Sequence, residues 1–195
     1  MSEQRDGTGN FDFESHRQKA VDAYAKVRNK YQDFAFAIRN ILREAIERKD
    51  LKVHSIEARA KSLDSFGDKS MSPSEEDPGS PKYREPLREI TDLAAVRVIT
   101  FFPRTIADVN TTIREQLQVL EQVDHTKLLE LAEKFGYKSV HYLVKLNEDR
   151  TRLPEYQRFA GLVACRRVTI TRALASKLSW PVAAKSCSPS NSILT

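Results

Sequence analysis

The stretch LAAVRVITFF, residues 93–102, limits what this chain can fold into more than any other. Only Arg97 and Thr100 interrupt its apolar run. A strand with one wet face alternates apolar and polar residues, whereas a near-continuous run belongs to a strand covered on both faces. The pattern therefore predicts an inner strand. Its neighbours alternate more openly: LKVHSIEAR (51–59), LQVLEQV (117–123) and SVHYLVKL (139–146), the last with Val140, Tyr142, Val144 and Leu146 on one face. Between them the spacing predicts a helix over 105–116, opened by Thr105 with Asp108 in its first turn, and another over 126–135 that stops at Gly136. Ahead of them, residues 12–48 read as one long amphipathic helix, with Tyr24, Val27, Tyr31, Phe34, Ile38, Ile41, Leu42 and Ala45 on one stripe. Residues 61–69 read as a short helix or turn. Residues 70–82, with three prolines, a glycine and four serines, read as a flexible surface loop. This order of elements predicts an α/β fold: a mixed β-sheet flanked by helices, behind a long N-terminal helix.

At 195 residues the chain has room for one domain with a real core. Nothing in it approaches the 18 or so consecutive apolar residues of a membrane span. Its first residues, MSEQRDGTGN, lack the apolar core of a signal peptide. Cys165 and Cys187 show no C-x-x-C spacing, so neither a disulfide framework nor a zinc site is expected, and a reducing cytoplasm fits.

The net charge of +5 is unevenly placed. All 27 acidic residues precede Tyr156, where 26 bases leave a balance of −1. The last 40 residues carry six bases and no acid: Arg158, Arg166, Arg167, Arg172, Lys177 and Lys185. The chain accordingly divides into a disordered leader (1–11), an α/β domain (12–160) and a basic tail (161–195) that is expected to pack poorly. So sharp a loss of acids suggests a frameshifted, mis-spliced or artificially ended reading frame, with a genuine divergent tail as the alternative. Should the tail fold onto the sheet, VTIT (168–171) is the piece to pair, being alternating and β-branched. A basic nucleic-acid-binding module is disfavoured, since its charge would be patterned into the folded domain.

Three segments carry candidate chemistry. In the first, Arg59 and Lys61 share a side of an extended chain, and Ser65 and Lys69 follow within a turn or two. Arginine forks and lysine point charges suit a polyphosphate, although a solvated basic edge is the commoner meaning of such a run. In the second, Asp92 stands at the mouth of the apolar strand and Arg97 inside it. A carboxylate beside phosphates is a natural magnesium ligand, and a strand arginine needs an anionic partner. A structural Asp92–Arg97 pair explains the pattern equally well. In the third, Gly136, Tyr137, Lys138, Ser139 and His141 place an aromatic ring and a histidine at a strand start. The ring suits stacking on a base, and an ordinary core tyrosine suits the pattern too.

Taken in order, R-x-K with the following serine and lysine, then DLAAVRVI, then GYKSVH, resembles the synthetase domain of the RelA/SpoT family over roughly residues 20–160. The resemblance implies a nucleotidyltransferase-like fold that binds two nucleotides in one cleft, with magnesium as cofactor. ATP would donate its β,γ-pyrophosphate to the 3′-hydroxyl of GDP or GTP, releasing AMP. It implies Arg59, Lys61, Ser65, Lys69 and Arg104 at the ATP site, with Arg104 stacking on adenine. It implies Asp92 as the metal ligand, Asp92, Lys61, Lys69 and Arg97 in catalysis, and Tyr137, His141 and Lys134 on the acceptor side. The family continues with a strand E-x-Q-x-R-T, whose glutamate is the second metal ligand and a candidate base. The corresponding stretch here, residues 164–171, contains no acid. With one motif carboxylate left to hold magnesium, the chain is expected to make little or no alarmone. The alternatives are a toxin-type synthetase acting on adenine nucleotides or tRNA, and an inactive nucleotide-binding domain. Assembly into a homo-oligomer is left open as well.

Overall fold

The computed structural model describes residues 11–124, 139–160, 162 and 165–172. The described elements are helix α1 (Phe13–Arg48), strand β1 (Val53–Ala60), helices α2 (Leu63–Ser70) and α3 (Pro86–Glu89), strand β2 (Ala94–Thr100), helix α4 (Pro103–Gln116), strands β3 (Leu117–Asp124) and β4 (Ser139–Leu146), the short helices α5 (Glu148–Thr151) and α6 (Pro154–Gln157), and strand β5 (Cys165–Arg172). The strands form one mixed sheet in the order β1-β2-β5-β4-β3. β2 and β5 run parallel, and the other neighbours are antiparallel.

The long helix forms where its periodicity places it. Asp12 caps it by accepting a hydrogen bond from the Ser15 amide at 2.9 Å, satisfying one of the free donors of the first turn. Its buried stripe includes Tyr24, Phe34, Ile38, Ile41, Leu42 and Ala45, all anticipated. α4 begins two residues earlier than Thr105 predicts. Pro103 takes the first helical position, where its fixed φ suits the helix and its missing N–H costs nothing, so Asp108 falls beyond the first turn.

Period-two alternation sorts the sheet into two faces. Ala94, Val96 and Val98 of β2, Ile170 of β5 and Val140, Tyr142, Val144 and Leu146 of β4 bury against Phe34, Ile38, Ile41 and Leu42 of α1 and Val109 and Ile113 of α4. Each such side chain contributes about 1.5–3 kcal/mol when fully buried. The opposite face carries Glu57, Arg59, Ala95, Arg97, Thr169 and His141. There Glu57, Ala95, Arg97 and His141 are half-buried and Arg59 is exposed. β2 is thus inner by its neighbours, but among the described residues α1 and α4 cover one face of it. The other face is where polar side chains collect.

β5 lies beyond the domain boundary expected near residue 160, yet it is the middle strand of the sheet. VTIT is the piece that pairs: Val168 is in register with Val96 and Tyr142, and Ile170 with Val98 and Val140. The expectation that everything past 160 packs poorly therefore fails for 165–172, where Ile170 is fully buried. Alternation and β-branching are all that a middle strand requires, and the change in charge does not disturb them.

Candidate active site

The site starts where β1 ends and β2 begins. Lys61 N donates to Leu93 O at 2.9 Å, extending the ladder past both strand ends. One stripe of α1 then fixes this mouth. Tyr24 Oη donates to Lys61 O at 3.1 Å and to Leu93 O at 3.2 Å, and Arg28 Nε donates to Lys61 O at 3.1 Å. Gln32 Oε1 accepts from Ala60 N at 2.9 Å. Burial pushes the Tyr24 phenol up to about 12. Beneath the mouth, Ala20, Tyr24, Phe66, Ile90 and Leu93 form a second, smaller core. Sequence reasoning took Tyr24 for a core residue and passed over Arg28 and Gln32. The available signal was the i, i+4, i+8 spacing of three hydrogen-bonding side chains beside the apolar stripe.

The anchored backbone presents charge. Lys61 Nζ lies 3.1 Å from one oxygen of Asp92, and Lys69 Nζ lies 3.0 Å from the other. All three side chains are largely shielded, at 16%, 32% and 23% exposure for Lys61, Lys69 and Asp92. Burial works against ionisation of Asp92, but the two ammonium groups outweigh it and hold its carboxyl below the usual range. Lys69 reaches the site from the last turn of α2. That helix is capped by Ser62, whose hydroxyl oxygen accepts from the Ser65 amide at 3.3 Å, which places Ser65 in the first turn. α2 sits tight on α1: a Cβ on Gly67 would fall 2.9 Å from Val21 Cγ2, so a glycine is needed for this approach.

Across the open face runs a single rung of the sheet. Glu57 is in register with Arg97, Arg97 with Thr169, and Thr169 with His141. Arg59 lies one diagonal step from Arg97, since its own partner is Ala95. Burial and then the nearby Arg97 charge lower the Arg59 pKa, while Asp92 and Glu57 act the other way. Two guanidinium groups near enough to repel one another, next to two lysines, suit a nucleobase with its phosphates. At the far end of the rung, Thr169 Oγ1 and His141 Nδ1 are 2.9 Å apart.

The structure thus gathers Arg59, Lys61, Lys69 and Asp92 at one end of β2, with Arg97 and His141 on the same face. Arg104 lies elsewhere. It follows the opposite end of β2, in the first turn of α4, with its guanidinium 5.2 Å from the centre of the Phe102 ring. Tyr137, Lys134 and the helix expected over 126–135 lie outside the described residues.

The sequence pattern of a region found in RelA/SpoT proteins matches residues 58–158. The chain belongs to the RelA/SpoT family. Among solved structures it is similar to the small alarmone synthetase 1 from Bacillus subtilis, at 17% identity over 77% of this chain and 71% of that one, with a TM-score of 0.52. The same protein bound to its product pppGpp is matched at 17% identity over 80% of this chain and 72% of that one, with a TM-score of 0.46. Comparison with curated proteins finds no match.

On the site-facing side of β5 the described side chain is Thr169. Among the described residues no group of three or more His, Cys, Asp or Glu side chains could hold a metal ion. The donor set is instead one carboxylate, Asp92, flanked by lysines. This fits magnesium arriving with a triphosphate, because that ion is commonly held by one or two carboxylates, phosphate oxygens and water. No helix among the described residues is long and apolar enough to cross a membrane.

Proposed function

We propose that this chain is an alarmone synthetase domain that binds ATP along Arg59, Arg97, Lys61 and Lys69 and transfers its β,γ-pyrophosphate to the 3′-hydroxyl of GDP or GTP. One observation carries the reading: two lysines, an aspartate and a pair of arginines converge on the open face of a RelA/SpoT sheet, over an anchored strand end.

Transfer of this kind is mostly positioning and neutralisation of charge. Arg59 and Arg97 would flank the adenine. Lys61 and Lys69 would turn from Asp92 to the triphosphate and balance charge growing on the AMP oxygen. Asp92, released from the lysines, would hold a magnesium ion whose chemistry is neutralisation of the phosphates. His141, with Tyr137 and Lys134 from outside the described residues, would receive the guanine nucleotide.

The test is incubation of the full chain and magnesium with ATP labelled at the γ-phosphate plus GDP, GTP or tRNA, followed by chromatography. Label on the guanine nucleotide is the expected result. Label on tRNA or on an adenine nucleotide would make the protein a toxin-type synthetase. ATP binding without transfer to any acceptor would make it a nucleotide-binding domain without turnover.

A further inference from the structure

β1 is the outer strand of the sheet, and its first half borders a groove away from the Lys61–Asp92 mouth. The groove lies between α1 and the start of β1 and holds about 350 Å³. Ile46, Val53 and Ile56 give it an apolar floor, and Arg39, Arg43 and Lys52 stand around it against one acid, Glu47. Arg39 and Arg43 are one helical turn apart, a spacing at which like charges repel. Arg39 Nε and Nη2 donate to Asn40 Oδ1 at 3.4 and 3.3 Å, and Arg43 Nη2 donates to the same oxygen at 3.4 Å. Among the described residues neither guanidinium is paired with a carboxylate. One neutral oxygen thus sits where a carboxylate would engage two arginine forks. The strand edge beside the groove is open. Lys61 N turns inward to Leu93 O, whereas Ala60 N turns outward to Gln32 Oε1. Backbone groups alternate in this way along an antiparallel edge, and the register with β2 is regular from Ser55 to Ala60, so Ile56 and Ala58 turn theirs outward as well. No other described residue bonds them there.

We propose that this edge is a docking site for an extended, acidic segment of a partner protein, which adds to β1 as a further strand and sets an apolar side chain into the groove. Charge selects the occupant. Three cations and one acid face it, so a basic segment is repelled. This chain's own residues 173–195 carry Lys177 and Lys185 and no acid, which is the wrong sign. In strand addition the backbone bonds, here to Ile56 and Ala58, supply affinity, and pockets for alternate side chains supply the choice of sequence. Residues two apart in a strand face the same side, about 7 Å from one another. An apolar residue at one such position meets Ile46 and Ile56. An acidic residue at the next displaces Asn40 Oδ1 and takes both guanidinium groups. A small free anion would engage the arginines but neither the apolar floor nor the strand edge. The inference does not depend on the pyrophosphate-transfer reading, since none of these residues belongs to that site.

The test titrates the full chain, labelled with nitrogen-15, with the end-blocked peptide TLTET, whose leucine and glutamate stand two positions apart. The controls are TLTKT, acetate, and two N-methylated forms of TLTET, one for each set of alternate amides. Amide signals of Ile56 and Ala58, and of α1 from Arg39 to Glu47, should shift with TLTET. TLTKT and acetate should bind at least about tenfold more weakly, and so should one methylated form but not the other, because an added strand uses every second amide. Arg39→Gln combined with Arg43→Gln should weaken TLTET by about tenfold or more, the size of a lost charge-assisted bond. The peptide controls decide the matter even if that double variant does not fold. No saturable shift, or shifts confined to other parts of the chain, would overturn the proposal. Equal binding of TLTKT, or of both methylated forms, would do the same. Acetate binding as tightly as TLTET would make this a small-anion site instead. Loss of the Ile56 and Ala58 signals as the free chain is concentrated would give the edge to a second copy and overturn it too.

Discussion

The two ends of the site are built to different standards. At the Lys61–Asp92 end, Tyr24, Arg28 and Gln32 of one helix fix the strand backbone, and the charged side chains pair with one another on top. At the β4–β5 end, His141 is bonded to Thr169, on a strand that lies past the 58–158 match to RelA/SpoT proteins. β5 nevertheless keeps its place in the sheet. Pairing and burial ask only that alternate residues be apolar, which Ile170 meets on the helix-covered face. Chemistry asks for a particular group on the other face, and there a threonine stands.

The sharpest way to break this comparison is at Ile170. If β5 is a true middle strand, Ile170→Ala should destabilise the protein by about 2–5 kcal/mol, as large-to-small changes in cores do. Chemical denaturation of wild type and variant measures it, and an unchanged midpoint would mean that 165–172 contributes nothing to the sheet. Lys69→Ala probes the other end. If Lys69 turns to the transferring group as proposed, its loss should lower the transfer rate by about 10²–10³-fold. It should also raise the acid midpoint of Asp92. The lowered Asp92 pKa contributes stability that is complete above the ordinary carboxylate value and is lost as pH falls through the lowered one. With Lys69 gone, that loss should begin at higher pH in acid titrations followed by circular dichroism.

Most of the fold was legible because apolar spacing reports it directly: α1, β1, β2, β3 and β4 lie close to where periodicity predicts them. The start of α4 was misplaced because Pro103 is a stronger N-terminal signal than Thr105. Charge composition sets the last 40 residues apart, but it is the alternation of VTIT that pairs in the sheet. In the site, Lys61, Lys69 and Asp92 could be grouped because the resemblance orders them, and the structure puts them within hydrogen-bonding distance. The anchors Tyr24, Arg28 and Gln32 could not be, since each acts on backbone some 30 residues or more away in sequence. Likewise the pairing of Thr169 with His141 depends on strand order, which a single sequence does not disclose.

Tyr24→Phe sharpens the contrast with a smaller change. It removes one hydroxyl donor from two carbonyls at the strand end, which keep their bonds from Arg28 and from the Lys61 amide. The cost should be about 0.5–1.5 kcal/mol of stability, with a matching loss of ATP affinity if the mouth loosens. The pH dependence offers a second check. The phenol's pKa is raised from 10.0 to about 12 by burial, so its stabilisation is complete below pH 10 and is lost as pH rises toward 12. Wild-type protein should lose stability in that window and the phenylalanine variant should lose less. Identical alkaline profiles would mean that Tyr24 is not the group holding the strand end.

The smallest effect is expected at Arg104, and it tests whether the donor end is as localised as it looks. Asp92 precedes the first residue of β2, and Arg104 follows the last. At roughly 3.3 Å per residue, this seven-residue strand separates them by more than 20 Å. A side chain there lies far from the Asp92 end of the strand. Its visible work is a contact over Phe102, which is itself 51% exposed. An exposed cation–π contact is worth about 0.5–1 kcal/mol, so Arg104→Ala should cost no more than that in stability. ATP affinity, measured by calorimetry, should stay within about twofold of wild type, whereas Arg97→Ala should weaken it severalfold by removing a charged, stacking partner. A large loss of ATP affinity in Arg104→Ala, with Arg97→Ala near neutral, would put the adenine at the far end of β2. The anchored Lys61–Asp92 mouth would then be a structural ion-pair cluster.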